Sequence, residues 1–100
     1  MGLKNNYIVE LIQNNIALFE QFDRVYLFGS VLDDHKEPND VDILLIYNQY
    51  TTKITEEISR VLSSLENLLG IAIDLTVLSV EEEKDTQFLN RIKPHALKLK

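Results

Sequence analysis

The chain contains no cysteine, so disulfide bonds and thiolate metal ligands are excluded. It has only three glycines and two prolines in 100 residues, so few positions interrupt regular secondary structure. No apolar run approaches the roughly 20 residues that a membrane-spanning helix requires. The first residues lack the basic and then apolar segments that are typical of a signal peptide. These absences predict a cytoplasmic protein that is not associated with a membrane.

Basic residues are also scarce, since ten Lys and Arg stand against sixteen Asp and Glu, giving a formal net charge of −6. A sequence-independent nucleic-acid surface needs Lys and Arg to neutralise phosphates, so this balance argues against broad binding to DNA or RNA. The acidic balance is compatible with binding of a small nucleotide as its Mg²⁺ complex. The length and the hydrophobic content of 45% suit one modest core, and we interpret residues 1–100 as a single domain.

Hydrophobic periodicity divides the chain into alternating helices and strands. The pattern predicts helices over residues 4–20 and 52–69, and strands over 24–28, 40–47 and 71–78. Gly70 is placed to end the second helix, and Ser30 is a candidate cap for a short helix. Ser79 and Glu82 have the spacing of a capping box before a short acidic helix, and residues 95–99 form a candidate last strand. The order α-β-α-β-α-β predicts a layered α/β fold.

The most informative segment is Leu27-Phe28-Gly29-Ser30, followed after nine residues by Asp40-Val41-Asp42 at the start of an apolar strand. Side chains alternate between the faces of a strand, so Asp40 and Asp42 point the same way. Two neighbouring carboxylates repel each other unless a positive group lies between them, and Mg²⁺ prefers such oxygen ligands. The backbone N–H groups of the Gly29-Ser30 turn can bind a phosphate. The segment therefore predicts a site for a nucleotide and a metal ion.

A third carboxylate, Asp74, lies on the polar face of the third predicted strand. If that strand is the neighbour of the second, Asp74 faces Asp40 and Asp42, and three carboxylates can hold two metal ions. Two metal ions stabilise the attacking and leaving oxygens of an in-line displacement at phosphorus, and a carboxylate can accept the proton of the attacking hydroxyl. Each motif alone also has a structural explanation, because Asp and Gly-Ser are common in turns. Their conjunction favours catalysis.

In this order and spacing the motifs resemble the nucleotidyltransferase superfamily that includes DNA polymerase β, over roughly residues 8–78. The short length is similar to its minimal nucleotidyltransferase branch. The resemblance implies a small mixed β-sheet with helices packed on it, and transfer of a nucleoside monophosphate from an NTP to an acceptor hydroxyl, with AMP from ATP as the expected case. It implies that Asp40 and Asp42 bind two Mg²⁺ ions and that Asp74 completes the metal site nearer the acceptor. Gly29 and Ser30 would then hold the β- and γ-phosphates.

The resemblance also implies a partner protein. Minimal nucleotidyltransferases are typically paired with a small helical HEPN-domain protein in toxin–antitoxin modules, where the nucleotidyltransferase is the antitoxin. The expected acceptor is therefore a hydroxyl of that partner, in a homo- or hetero-oligomer.

One segment departs from the family pattern. Where minimal members carry a small residue and then a run such as Ala-Arg-Gly, this chain has residues 31–34, Val-Leu-Asp-Asp. The missing Arg would offset the charge of a triphosphate, and the candidate substitutes are Arg24, His35 and Lys36. The departure motivates an alternative, a weak or inactive nucleotidyltransferase fold that neutralises or scaffolds a partner. A transferase for small molecules, of the aminoglycoside type, is less favoured because it needs additional substrate-binding structure.

Overall fold

The computed structural model describes residues 5–33, 35 and 40–100. The described residues form four α-helices and four strands. The helices are α1 (Asn5–Asn14), α2 (Thr52–Leu69), α3 (Val80–Thr86) and α4 (Phe88–Ile92). The strands are β1 (Arg24–Phe28), β2 (Asp40–Tyr47), β3 (Ala72–Ser79) and β4 (Leu97–Lys98). Two 3-10 turns cover Ile16–Phe19 and Gly29–Leu32.

The strands form one mixed sheet in the order β3-β2-β1-β4. Strand β1 is antiparallel to both β2 and β4, whereas β2 and β3 are parallel. A parallel pair needs a crossover connection, and α2 provides it. Residues Ile43 to Ile46 of β2 are all completely buried, which confirms the interior position that their continuous apolar run predicts. The structure thus confirms the predicted α/β fold with a mixed sheet.

The two faces of the sheet are covered differently. Helices α1 and α2 pack on the face that carries Val25, Leu27, Ile43 and Leu45, and this face holds the larger core. The opposite face carries a smaller core, in which Tyr26, Leu44 and Ile46 contact residues of α3, α4 and the segment between them and β4. Because side chains alternate along β2, Asp40 and Asp42 share the face of Leu44 and Ile46.

Local sequence explains where the helices begin and end. The Thr51 side chain accepts a hydrogen bond from the backbone N–H of Ile54, and Gly70 ends α2 in the left-handed conformation with φ of 69°. The capping box of Ser79 and Glu82 is present at the start of α3. The predictions for Gly70 and for the capping box are confirmed, whereas the cap at Thr51 is an additional finding.

The first helix is shorter than the pattern predicts. Helix α1 ends at Asn14 and a separate 3-10 turn follows, rather than one helix over 4–20. Asn15 interrupts the helix because its side-chain amide donates to the carbonyl of Leu11 at 2.8 Å, a local bond that competes with the helical backbone pattern. The last predicted strand is present as β4, which pairs with Tyr26 and Leu27. Among the described residues, no helix is both long and apolar enough to cross a membrane.

Candidate active site

Three carboxylates meet where β2 and β3 begin. In the parallel register Asp42 lies opposite Asp74, and Asp40 lies opposite Ala72. One oxygen from each of Asp40, Asp42 and Asp74, the carboxylate triad, lies within 4.8 Å of the corresponding oxygens of the other two. Strands β2 and β3 are therefore neighbours, as the predicted approach of Asp74 to Asp40 and Asp42 requires.

The carboxylate triad concentrates negative charge in a partly desolvated place. Asp40 and Asp42 are half-buried, whereas Asp74 is exposed. Burial, followed by the charges of Asp40 and Asp74 and a hydrogen bond with Asp74, raises the pKa of Asp42 from 3.8 to about 6. Among the residues that the structure describes, no basic side chain forms an ion pair with the carboxylate triad. A divalent cation would relieve this repulsion and favour the ionised carboxylates.

Gly29 brings the backbone of the following turn against the carboxylate triad. It has a φ of 83°, in the region that glycine adopts without strain, and it directly follows Phe28, the register partner of Asp42. A Cβ atom built on Gly29 would lie 3.1 Å from Cγ of Asp42 and would overlap its Oδ2. Both the backbone conformation and the space therefore require glycine here, and they place a backbone turn beside Asp42.

Ser30 lies inside the 3-10 turn Gly29–Leu32 rather than capping it. The residue at the cap position is Phe28, and no side-chain hydrogen bond caps the turn, so the predicted capping role of Ser30 is wrong. The reason is that the turn already begins at Gly29, directly at the end of β1. Ser30 is half-buried next to Gly29, and its carbonyl accepts the N–H of Asp33 at 3.0 Å.

The sequence interpretation missed a residue that holds this turn. The side-chain amide of Asn5, at the start of α1, donates to the carbonyl of Asp33 at 2.6 Å and to that of Ser30 at 3.3 Å. These bonds tie the first helix to the turn next to the carboxylate triad. They join positions 25 and 28 residues apart. An Asn at the start of a helix does not by itself indicate such a distant partner.

The structure describes two of the three candidate substitutes for the missing Arg. Arg24 lies at the end of β1 opposite to Phe28 and the turn, and it interacts with Asp23 at 3.6 Å and Glu83 at 3.9 Å. Arg24 therefore does not supply the positive charge beside the turn that the missing Arg would provide. His35 is exposed, and its backbone N–H donates to the Asp33 carboxylate at 2.9 Å. Asp34 and Lys36 lie outside the described residues.

Comparison with known structures places this fold among nucleotidyltransferases. A minimal nucleotidyltransferase is 19% identical with a TM-score of 0.68, and the similarity covers 95% of each chain. A chain of a toxin–antitoxin structure with AMP-PNP is 21% identical with a TM-score of 0.55, over 98% of this chain and 73% of that chain. A chain of the tri-AMPylated Shewanella oneidensis HEPN toxin in complex with MNT antitoxin is 20% identical with a TM-score of 0.50, over 97% and 69%.

The similarity to these structures concerns the fold, whereas the family assignment comes from the sequence. No curated protein sequence matches the chain at a significant level. The family model described as polymerase beta nucleotidyltransferase, however, matches residues 6–96, which include every residue of the predicted site. Because that match spans nearly the whole chain, the protein belongs to the polymerase β nucleotidyltransferase family.

Proposed function

We propose that this protein is a Mg²⁺-dependent nucleotidyltransferase that moves AMP from ATP to a hydroxyl of a partner protein. The observation that carries the proposal is the carboxylate triad, with its oxygens within 4.8 Å of one another, beside a glycine turn that contacts one of its members. Oxygen-only ligands next to a backbone turn suit a metal-bound polyphosphate. The match of the family model supports the same chemistry.

The donor set fits Mg²⁺. The ion binds oxygens at about 2.0–2.1 Å, so two ligands on opposite sides lie roughly 4.2 Å apart, and the oxygens of the carboxylate triad lie within 4.8 Å of one another. Asp40 and Asp42 would hold two ions, and Asp74 would complete the site. When bound, the ions neutralise charge on the phosphates and activate the attacking oxygen.

The residues of the chain then have separate tasks. The acceptor oxygen bonds to the α-phosphorus while the bond from that phosphorus to the bridging oxygen breaks and pyrophosphate leaves. Asp74 is the exposed member of the carboxylate triad and accepts the proton of the acceptor hydroxyl. Gly29 and Ser30 hold the β- and γ-phosphates through the backbone of their turn. Asn5 fixes that turn through the carbonyls of Ser30 and Asp33.

We further propose that the acceptor is a small helical HEPN-type protein and that the chain acts as its antitoxin. The support is the similarity in fold to the MNT antitoxin complex in which the HEPN toxin is tri-AMPylated. The similarity to a toxin–antitoxin structure with AMP-PNP favours an adenine nucleotide. The complex between the two proteins would supply the acceptor surface that a single small domain lacks.

Transfer of radioactive label tests this proposal. The purified protein, Mg²⁺ and ATP labelled at the α-phosphate are incubated with host lysate, and the reaction is repeated with γ-labelled ATP. We expect a protein band that carries only the α-label, that is lost with Asp42→Asn and that persists with the exposed control Asp85→Asn. Full labelling by Asp42→Asn would contradict the proposed mechanism.

A second candidate function is a non-catalytic antitoxin that neutralises its partner by binding alone. The observation that favours it is the position of Asp33, an acid next to the turn where a family Arg is expected, held there by Asn5. Neutralisation of a co-expressed partner should then survive the double substitution Asp40→Asn and Asp42→Asn. Loss of neutralisation in a folded double variant would favour the enzyme.

A further inference from the structure

We propose that Arg91, stacked on the ring of Phe88, binds the polyphosphate of the nucleotide held by the carboxylate triad. This inference rests on the proposed function and names the cation that the Gly29-Ser30 turn lacks. It concerns a part of the chain, α4, that the sequence motifs do not include.

A ring contact brings α4 to the end of the sheet where the carboxylate triad lies. Phe28 is the register partner of Asp42 and shares its face of the sheet. The ring of Phe88 meets the ring of Phe28 edge to face, with centroids 5.7 Å apart and planes at 77°. Phe88 is therefore the neighbour of a residue that is itself adjacent to both Asp42 and Gly29.

The guanidinium of Arg91 lies over the ring of Phe88. Its Cζ atom is 5.1 Å from the centroid of that ring, and the two residues are one turn of α4 apart. A guanidinium has planar N–H groups that match the oxygens of a phosphate in a bidentate way. Arg91 is exposed, so a bound anion can reach it.

The other two arginines of the chain are already paired. Arg24 interacts with Asp23 and Glu83, and Arg60 donates to Glu57 at 2.8 Å through its Nε. Among the described residues, Arg91 has no carboxylate within ion-pair distance. It is the arginine whose charge remains available to a ligand.

The fold holds α4 in place by several contacts. Gln87 adopts a left-handed conformation with φ of 51° and separates α3 from α4, so the chain turns toward the sheet. The Glu83 carboxylate accepts the N–H of Leu89 at 3.3 Å and interacts with Arg24 of β1. Leu89 is buried in the smaller core. A non-glycine residue in this conformation is uncommon, and these contacts stabilise it.

The charges explain why a cation is needed there. ATP brings about four negative charges and two Mg²⁺ ions cancel them, but the carboxylate triad adds three more. As pyrophosphate leaves, negative charge grows on its oxygens, and a fixed cation near them lowers the barrier. The turn that follows β1 offers Asp33 rather than an arginine. In the proposed complex Arg91, which reaches Phe28 through Phe88, supplies this positive charge.

Nucleotide binding by calorimetry in Mg²⁺ tests the inference without requiring turnover. The probes are AMP-PNP, inorganic pyrophosphate and AMP, and the proteins are wild type, Arg91→Ala, Arg91→Lys and the control Lys93→Ala, which removes a neighbouring exposed charge. We expect Arg91→Ala to weaken AMP-PNP and pyrophosphate binding about tenfold, with Arg91→Lys intermediate, because charge-assisted bidentate contacts have this magnitude. AMP binding and the Lys93→Ala protein should change less than about twofold.

Three results would overturn the inference. The first is equal AMP-PNP affinity of Arg91→Ala and Lys93→Ala. The second is a loss for AMP as large as that for AMP-PNP, which would indicate a contact with the nucleoside or the α-phosphate, both of which AMP also carries. The third is no binding of AMP-PNP or pyrophosphate by the wild type. If binding depends on Arg91 while label transfer is absent, the inference stands and the proposed transferase activity fails.

Thermal unfolding of each variant verifies the fold. A further variant, Phe88→Leu, keeps an apolar contact but removes the ring, and it should reproduce part of the loss of AMP-PNP affinity.

Discussion

Replacing Asp42 with Asn should stabilise the metal-free protein at neutral pH. The pKa of Asp42 is raised from 3.8 to about 6, so the folded state holds this carboxyl proton more tightly than the unfolded state does. Stability should therefore fall as the pH rises through the window from about 4 to 6, and the loss should persist above it. Asn has nearly the same shape and carries no charge, so the variant escapes this loss.

The magnitude follows from the pKa. A difference of about two units corresponds to roughly 3 kcal/mol for a fully buried group. Asp42 is only half-buried, and solvent screens its neighbours, so we expect about 1–2 kcal/mol at pH 7. For a domain of this size each kcal/mol shifts Tm by roughly 4–8 °C. The advantage of Asp42→Asn should therefore be easily measured.

The assay is chemical unfolding in EDTA from pH 4 to 8, with wild type, Asp42→Asn and the exposed control Asp85→Asn. The quantity of interest is the difference in unfolding free energy between wild type and each variant, because titrating groups remote from the substituted residue cancel in it. That difference should grow between pH 4 and 6 for Asp42→Asn, and Asp85→Asn controls for the loss of one exposed carboxylate. Added Mg²⁺ should stabilise the wild type more than Asp42→Asn. A difference for Asp42→Asn that does not vary with pH would refute the reasoning.

Two further substitutions probe the surroundings of the carboxylate triad, and a third changes a helix cap at the other end of β3. Gly29→Ala places a Cβ against Asp42 at a positive φ, so it should cost at least about 1 kcal/mol in chemical unfolding and abolish label transfer. Asn5→Ala removes both bonds to the turn and should raise the KM for ATP and cost about 1–2 kcal/mol, whereas the exposed Asn6→Ala should do neither in the same assays. Ser79→Ala removes a helix cap and should lower thermal stability by about 1 kcal/mol without altering AMP-PNP affinity.

The parts of the fold that depend on local pattern were predictable. Helix α2 matches its predicted range, and the cap at Gly70 and the capping box at Ser79 have signals within a few residues. The meeting of Asp74 with Asp42 was predictable only on the condition that β2 and β3 are neighbours. Which strands are neighbours is a long-range property, and hydrophobic periodicity does not encode it. The presence of all three Asp residues together with Gly29-Ser30 favoured that arrangement.

The contacts that the sequence could not predict join distant segments. Asn5 holds the turn through bonds whose partners are more than twenty residues away, and no local motif marks it. The approach of Phe88 to Phe28 depends on the turn at Gln87, a residue type that rarely adopts a positive φ. Only the contact of Phe88 with Phe28 distinguishes Arg91 from the lysines that follow it.

The carboxylates of β2 also help to determine how the strand is placed. Residues Ile43 to Ile46 are apolar on both faces, so a shift of one residue would still bury apolar side chains on each side. The same shift would carry Asp40 and Asp42 to the face that α1 and α2 cover, where desolvated charges without partners are costly. Asp42→Asn preserves this constraint, because an amide also resists burial without partners, whereas Asp42→Leu removes it at that position. Comparison of the two variants therefore separates the effect of the Asp42 charge from the effect of a polar side chain on the register of β2. Asp42→Leu should show a broader unfolding transition than Asp42→Asn in the same chemical unfolding experiment.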